Sequence, residues 1–338
     1  MTQLTLSVVL PTYNEASWLP ETITSVDTEL FAAGWTDAEI VVVNDGSSDN
    51  TSDVILSLTT RCRLRIIEQV NAGRFEARRA GIESCTSEFI LLIDSRVRPI
   101  PGAFKFLRTQ LSDHPERRVW NGDVDLDHPA KPYAAFWLCI TRLAWRRYFR
   151  TRTLTSYGAD DFDYYPKGTT FFLAPRAVLL DVISKFRTNF SDMKLVNDDT
   201  LLIKPIAQSQ PIFIGPEFRC IYFSRDSAKK FLRHSYHRGT VFVDAYLRSG
   251  SRYLAPFVSA SIMGAVLAFA AVTYPLFAGV VLTLLVMAAT GAFYRSGCEM
   301  VVIVGFFRAL PLFVPAYGAG IVRGLWLLVF SSTRTAQQ

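Results

Sequence analysis

The sequence predicts an α/β protein in which a mostly parallel sheet with flanking helices precedes C-terminal transmembrane helices. Two patterns support this fold class. Four short apolar runs rich in β-branched residues occur at 6–10, 40–43, 64–67 and 89–93, and helical segments follow three of them. This order is typical of parallel strands joined by helical crossovers. The second pattern is a long uncharged stretch near the C-terminus.

The cysteine and charge content argue against two classes of protein. The five cysteines form no C-x-x-C pair and have no His at metal-ligand spacing, which argues against a zinc site and a disulfide framework and favours a reducing cytosol. A net charge of +6 alone would suit nucleic acid, but 50% of the residues are hydrophobic, and an anionic membrane surface explains both features. We therefore expect membrane lipids, and no nucleic acid, among the partners. The cysteines are Cys62, Cys85, Cys139, Cys220 and Cys298.

The uncharged stretch covers residues 253–294 and is interrupted near its middle by Pro275. Each half has about 20 residues, the length that a helix needs to cross a hydrocarbon core. We therefore predict spans near 254–273 and 276–294, with a buried hydrophobic hairpin in a soluble protein as the alternative. Basic residues flank the pair, and the positive-inside rule then puts both flanks and the N-terminal half in the cytosol. The flanking residues are Arg248, Arg252 and Arg295.

Two further segments leave alternatives open. A third apolar segment near 300–330 contains two arginines and two prolines, so it suits a third span, a kinked or re-entrant one, or a helix in the membrane interface. The segment 134–150 mixes aromatic residues with four arginines, which is typical of an interfacial helix and equally of a solvated basic face.

These segments give a predicted organisation of two parts. Residues 1–240 are expected to form the ligand-binding α/β domain, with the interfacial candidate 134–150 inside it, and 241–338 to form the membrane region. The first residues carry no basic region ahead of an apolar one, so no signal peptide is predicted. We expect an integral protein of the inner or plasma membrane with a cytosolic N-terminal domain.

Polar turns follow the first two strands, where ligands of parallel sheets bind. The first strand runs into PTYNE at 11–15 and the second into NDGSSDNT at 44–51. A carboxylate such as Asp45 can accept a hydrogen bond from a uracil-type base or from ribose hydroxyls, while Gly46 lets the backbone approach the ligand. Alone, the Asp-Gly-Ser turn is more typical of a helix cap.

Together with NAGRFEARRAG at 71–81, these segments resemble the successive signatures of family 2 glycosyltransferases. The resemblance covers roughly 5–240 and implies the GT-A (Rossmann-like) fold and a nucleotide diphosphate sugar as donor. The membrane tail resembles that of bacterial members acting on lipid-linked or exported glycans. On the family's pattern, the donor-binding candidates in these segments are Pro11, Thr12, Tyr13, Glu15, Asp45 and Gly73.

The resemblance also implies contacts to the donor's diphosphate. Arg78 stands in the family's ARN-type segment and offers a planar fork to phosphate, with a solvent-facing basic helix as the alternative. Within the basic stretch before the spans, Arg238 is a second candidate, or else part of a lipid anchor. A Q-x-x-R-W motif, which marks processive synthases, is absent from that stretch.

The metal-binding motif departs from the family's pattern. Asp94 matches the first acid of Asp-x-Asp and is the candidate ligand for Mg²⁺ or Mn²⁺, but Arg96 replaces the second acid, which puts the cation in doubt. Either Arg96 supplies positive charge itself, or Asp94 holds a metal with phosphates, waters or another acid. That acid would come from Asp123, Asp125 or Asp127, which are otherwise expected to be exposed loop residues.

The acceptor side is indicated by a pair of acids. In the family's Glu-Asp motif a carboxylate takes the proton of the attacking hydroxyl; here Asp199 stands on the base position and Asp198 replaces the Glu. Ordinary helix capping is the alternative. The sequence thus predicts an inverting transferase acting on a lipid-linked or membrane-proximal saccharide. Transfer to polyprenyl phosphate, a silent nucleotide-binding scaffold and, more distantly, an oxidoreductase are the alternatives.

Overall fold

A computed structural model describes residues 4–224, 227–247 and 254–335 of the protein, without the side chains of Ala245 and 330–335. Arg248 and Arg252, which carry part of the orientation prediction, lie outside the described residues. The chain divides into two compact units. The first comprises Met1–His128 with Thr151–Ser224, and the second Pro129–Arg150 with Arg225–Gln338.

The first unit is built on two sheets. The larger has the strand order β3-β2-β1-β4-β9-β6-β10-β8, and the smaller the order β5-β11-β7. Strands β3, β2, β1 and β4 are mutually parallel, whereas β9 runs antiparallel between β4 and β6, so the predicted mostly parallel α/β sheet is confirmed. The strands are β1 (Leu6–Thr12), β2 (Glu39–Asn44), β3 (Arg63–Glu68), β4 (Phe89–Ile93), β5 (Val97–Pro99), β6 (Trp120–Asn121), β7 (Asp123–Leu126), β8 (Thr155–Tyr157), β9 (Phe171–Pro175), β10 (Ile212–Ile214) and β11 (Arg219–Tyr222).

The helices follow the strands in the order that crossovers require. Helix α3 packs on β1 and β2, and α1 on β5, so that the apolar strands are covered. The helices are α1 (Leu19–Ala32), α2 (Thr51–Ser57), α3 (Arg74–Ser84), α4 (Ala103–Asp113), α5 (Pro132–Ala144), α6 (Arg146–Thr151), α7 (Arg176–Ser184), α8 (Asp198–Ser209), α9 (Ala228–Tyr246), α10 (Leu254–Thr273), α11 (Pro275–Arg295) and α12 (Met300–Thr335).

Strand β1 extends two residues beyond its apolar run. Pro11 and Thr12 continue the parallel register, opposite Val43 and Asn44 of β2. The polar turns that follow β1 and β2 therefore start side by side at the carboxyl edge of the sheet. This edge carries the residues to which the sequence assigns donor binding.

The second unit has its own apolar core around Phe136 of α5, which stacks on Phe306 of α12 at 4.9 Å between ring centroids. Helices α9 and α12 approach through glycines: a Cβ added to Gly239 would lie 2.2 Å from the Tyr317 carbonyl oxygen, and one on Gly320 would lie 2.0 Å from the Tyr236 carbonyl oxygen. The two backbones are thus in direct contact, which only glycine permits.

Within the described residues, three helices are long and apolar enough to cross a membrane: Leu254–Thr273, Pro275–Arg295 and Met300–Val329. The first two coincide with the predicted spans. The third segment, left open above, is one continuous helix that accommodates Pro311 and Pro315. Segment 134–150 is helical in two pieces, α5 and α6, and belongs to the second unit, whereas the sequence had grouped it with residues 1–240.

We expect the replacement Gly81→Val to destabilise the protein, because a Cβ at this position of α3 would lie 2.4 Å from Val9 Cγ1 in the core. Overpacking of this kind costs about 1–3 kcal/mol. Thermal unfolding of the detergent-purified chain measures the effect. Glu83→Val, on the exposed side of the same helix, carries the same β-branched cost and should change the midpoint much less; equal losses would contradict the packing argument.

Candidate active site

The carboxylate of Asp45 organises the loop after β3. Its Oδ1 accepts hydrogen bonds from Gln69 Nε2 at 2.6 Å and from the Ala72 amide at 2.8 Å, and its Oδ2 accepts one from the Gly73 amide at 2.9 Å. Two of the predicted donor-binding residues, Asp45 and Gly73, are thus held together by a hydrogen bond. Gly73 has a φ of 98°, and the position that a Cβ would occupy faces Lys194. The contact of Asp45 and Gly73 with a nucleotide remains a prediction.

Asn14 joins the two strand-end turns. With a φ of 54°, it accepts hydrogen bonds at Oδ1 from the Ser48 amide at 2.7 Å and the Asp49 amide at 3.3 Å. The sequence interpretation passed over Asn14, although Asn tolerates this left-handed conformation better than most residues. Beside it, Tyr13 is exposed, while the hydroxyl of buried Thr12 has no hydrogen-bond partner among the described residues.

Arg78 lies at the centre of an ion-pair network, with a side chain that is only 1% exposed. Its Nη2 donates to Asp94 Oδ1 at 2.6 Å and its Nη1 donates to Asp198 Oδ2. The acids of the donor motif and of the acceptor motif are therefore bound to one guanidinium. From the sequence, we predicted that the Arg78 guanidinium binds phosphate. In the structure it binds the carboxylates of Asp94 and Asp198, and its contact with phosphate stays a prediction.

Arg74 completes the network and was missed by sequence reasoning. Its Nε and Nη2 donate to the two oxygens of Asp198, at 3.2 and 2.6 Å. The neighbouring carboxylates, Asp198 foremost, hold the pKa of Arg74 well above its usual value. The signal was present in the sequence, because Arg74 and Arg78 are four residues apart and share a helix face.

The two adjacent acids of α8 have different surroundings. Asp198 is 1% exposed and both its oxygens are bound by arginines, whereas Asp199 is 17% exposed. Asp199 Oδ1 accepts hydrogen bonds from the amide and hydroxyl of Thr169, another residue that the sequence interpretation missed. The side chain of Asn197 caps the helix, so neither acid serves as the N-cap. Asp199 is thus the more accessible acid.

Arg96 is paired with Glu15, at the position where the family's second metal-binding acid stands. The Nε of Arg96 lies 2.9 and 3.1 Å from the two Glu15 oxygens, and its Nη2 lies 2.9 Å from Oε2. Its guanidinium carbon sits 4.6 Å from the Trp18 ring centroid. Two residues that were predicted as separate donor contacts are therefore bound to each other.

Asp94, the one acid that matches the family's metal motif, is poorly placed to hold a divalent cation. Asp94 accepts hydrogen bonds on both oxygens, from Arg78 and from Thr170 Oγ1 at 3.1 Å. The neighbouring position carries the guanidinium of Arg96. Among the described residues, no group of three or more His, Cys, Asp and Glu side chains is arranged to hold a metal ion.

The expectation that Asp123, Asp125 and Asp127 are exposed loop residues is wrong for the first two, whereas Asp127 lies in the loop directly after β7 and is partly buried. Asp123 and Asp125 lie on β7, and Asp123 is fully buried. Arg152 binds both, at 2.7 Å to Asp123 Oδ2 and 2.8 Å to Asp125 Oδ1, and Asp127 accepts from the Ser224 amide. Alternation in a short strand explains the pattern: Arg152 neutralises Asp123 and Asp125, and Asp125 also pairs with Arg219 of β11 at 3.3 Å.

Arg238 lies on α9 in the second unit. Its guanidinium carbon is 5.6 Å from the ring centroid of Trp137, whose ring also contacts His234 edge-on. This places one predicted phosphate ligand in an aromatic and basic cluster of that unit. Its contact with a diphosphate remains a prediction.

Comparison with known proteins gives a consistent result. Residues 7–170 match the family described as Glycosyl transferase family 2. The uncharacterized glycosyltransferase YibD of Escherichia coli (strain K12) is 31% identical over 105 residues, 31% of this chain and 29% of that protein. A poly-beta-1,6-N-acetyl-D-glucosamine synthase of Staphylococcus epidermidis is 30% identical over 91 residues, 27% of this chain and 21% of the synthase. The matches thus span less than a third of either relative.

A solved structure of similar fold covers nearly the whole chain. The mannosyltransferase PcManGT from Pyrobaculum calidifontis, determined in complex with GDP-Man and Mn²⁺, aligns with a TM-score of 0.61 over 95% of this chain and 87% of its own, at 17% identity. The predicted GT-A fold followed by apolar C-terminal helices is therefore confirmed.

We expect Asp198→Ala to lower stability strongly, because it leaves the buried Arg78 without one of its two closest counter-charges. Breaking a buried pair in this way costs about 3–5 kcal/mol. Thermal unfolding of the full chain in detergent measures it. Asp181→Ala removes an exposed pair with Lys185 and should cost about 0–1 kcal/mol. A similarly small effect of both replacements would show that the network contributes little.

Proposed function

We propose that this chain, which carries a family 2 glycosyltransferase domain at residues 7–170, transfers one sugar from a UDP- or GDP-sugar to a lipid-linked or membrane-proximal saccharide, with inversion at the anomeric carbon. The observation that carries the proposal is the meeting of Asp94 and Asp198 on Arg78. This contact supports the proposal, because one guanidinium joins the segment after β4 to the start of α8, the two segments to which we assign donor and acceptor binding. Cell-envelope or exopolysaccharide synthesis is the setting that we infer.

The donor would bind along the carboxyl edge of β1, β2 and β4. Asp45 and the loop that it holds would contact the base and ribose, and Thr12, whose buried hydroxyl lacks a partner, would gain one from the ligand. Arg96 would lie near the diphosphate. A divalent cation, Mg²⁺ or Mn²⁺, held by Asp94 and the phosphates is the alternative source of positive charge.

In the transfer step, the acceptor hydroxyl would form the new bond to the anomeric carbon from the face opposite the leaving nucleoside diphosphate. The bond between that carbon and the phosphate oxygen breaks, and the diphosphate leaves with the electron pair. Asp199 would take the hydroxyl proton, because it is the more accessible acid and Thr169 orients it. Asp198, which is bound by two arginines, would position the site without exchanging protons.

The membrane part of the proposal is supported by composition. Sixteen Lys and Arg but three Asp and Glu belong to the second unit, which also contains the three apolar helices. Positive charge beside apolar spans favours the anionic cytosolic leaflet. We propose that the first unit is a catalytic domain in the cytosol and that the second unit, which contains the apolar helices, is its anchor. Such an anchor would keep enzyme and lipid-linked acceptor in one plane and raise their effective concentration.

The first test is release of nucleoside diphosphate by the detergent-purified chain with a panel of UDP- and GDP-sugars and membrane lipid extract. We expect turnover of at least one donor, above its slow hydrolysis without acceptor. Absence of both hydrolysis and turnover across the panel would contradict the proposal and favour a silent nucleotide-binding scaffold.

Replacement of the base tests the mechanism. Asp199→Asn should lower the transfer rate by about 10²- to 10⁴-fold, since a general base contributes that much, while nucleotide affinity stays within about twofold of wild type. Asp181→Asn, an exposed acid on α7, is the matched control with unchanged rate. A mild effect of Asp199→Asn would favour transfer to polyprenyl phosphate, whose attacking oxygen is already ionised and needs no base.

A further inference from the structure

We infer that Arg96 is a fixed cationic ligand for the donor's diphosphate and that this protein binds its donor without a divalent cation. The inference rests on the proposed function and names the group that would neutralise the phosphates. Donor binding without a metal would differ from the metal-dependent binding that an Asp-x-Asp motif provides. The hydrogen bonds and ion pairs of residues 94–96 account for this difference.

The backbone that presents Arg96 is fixed from two sides. The Ser95 carbonyl oxygen accepts a hydrogen bond from Thr22 Oγ1 of α1 at 2.7 Å, and Ser95 Oγ donates to the Pro11 carbonyl oxygen of β1 at 3.1 Å. The Arg96 carbonyl oxygen accepts from the Phe223 amide at 2.9 Å. Arg96 is therefore preorganised at the edge where β1 and β4 end, and little conformational entropy is lost on binding an anion.

The guanidinium is held on one edge and on one face. The Glu15 carboxylate accepts hydrogen bonds from Nε and Nη2, and the Trp18 ring covers one face, with its centroid 4.6 Å from the guanidinium carbon. The remaining nitrogen, Nη1, is buried and has no hydrogen-bond partner in the described structure. A buried donor without a partner is unfavourable, so an acceptor oxygen arriving at Nη1 would be bound strongly. A phosphate oxygen fits, because guanidinium and phosphate form charge-assisted hydrogen bonds.

The same residues disfavour a cation. Asp94 is the only acid that remains from Asp-x-Asp, and its two oxygens already accept from Arg78 and Thr170. Glu15, the nearest other acid to position 96, is occupied by Arg96 itself. A divalent ion bound to Asp94 would displace these hydrogen bonds and would be repelled by the guanidinium two residues away. The donor set thus suits an anion better than a metal.

The test is isothermal titration of the full-length, detergent-purified chain with UDP and with GDP, in EDTA and in Mn²⁺. We expect the better nucleotide to bind with a Kd that differs by less than about threefold between the two conditions. Binding that is more than about tenfold weaker in EDTA would overturn the inference while leaving the proposed function intact. Failure of both nucleotides to bind in either condition would contradict the proposed function itself.

Two variants test the role of Arg96. Arg96→Gln should weaken nucleotide binding by about tenfold to a hundredfold, as loss of a charged hydrogen-bonding partner does. Arg98→Gln is the matched control: Arg98 lies over the Phe223 ring and pairs with Glu21, and its loss should leave the Kd within about twofold. Equal, small effects of both replacements would overturn the assignment.

A gain-of-function variant keeps the test decisive if Arg96→Gln unfolds, which thermal melting will show. The double replacement Glu15→Gln with Arg96→Asp restores Asp-x-Asp and removes the acid that would repel the new carboxylate. We expect its nucleotide binding to become Mn²⁺-dependent, with a Kd at least about tenfold weaker in EDTA. Metal-independent binding of wild-type affinity in this variant would show that Arg96 is not the phosphate ligand.

Discussion

The buried guanidinium of Arg78 is the interaction on which the site depends. It binds Asp94, which follows β4, and Asp198, which begins α8 more than a hundred residues later. Because Arg78 and Asp198 are almost fully buried, each of their charges is tolerable only in the presence of the other, so the two segments cannot move apart independently. The ion pairs therefore fix the distance between the end of β4 and the start of α8. Arg74 and Thr169 add hydrogen bonds that leave the α8 acids little freedom to rotate.

Much of the sheet could be predicted from the sequence because local patterns determine it. The apolar runs before PTYNE and NDGSSDNT are strands within two residues, since a buried parallel strand needs a continuous apolar segment. The two uncharged halves around Pro275 are likewise the helices α10 and α11. Neither pattern depends on what the segment packs against.

The site was less predictable, because pairing between distant side chains leaves no local pattern. The motifs indicated Arg78 and Arg96 as phosphate ligands. Nothing in the sequence shows that both guanidinium groups form ion pairs with carboxylates. The prediction for Asp123 was wrong for a related reason. An acid in a polar stretch suggested a loop, but Asp123 lies buried in a short strand, where Arg152 neutralises it. Charge compensation in three dimensions thus decided which polar residues are buried.

The glycine contacts between α9 and α12 have a mechanical consequence. Side chains between helices usually act as a compliant layer that absorbs small shifts by changing rotamer. At Gly239 and Gly320 this layer is missing, and carbonyl groups meet the opposing backbone directly. In the proposed membrane anchor, a tilt imposed on α12 by a thicker or thinner bilayer would therefore pass to α9 with little loss. The lipid environment would thereby influence the orientation of α9, the basic helix that carries Arg238.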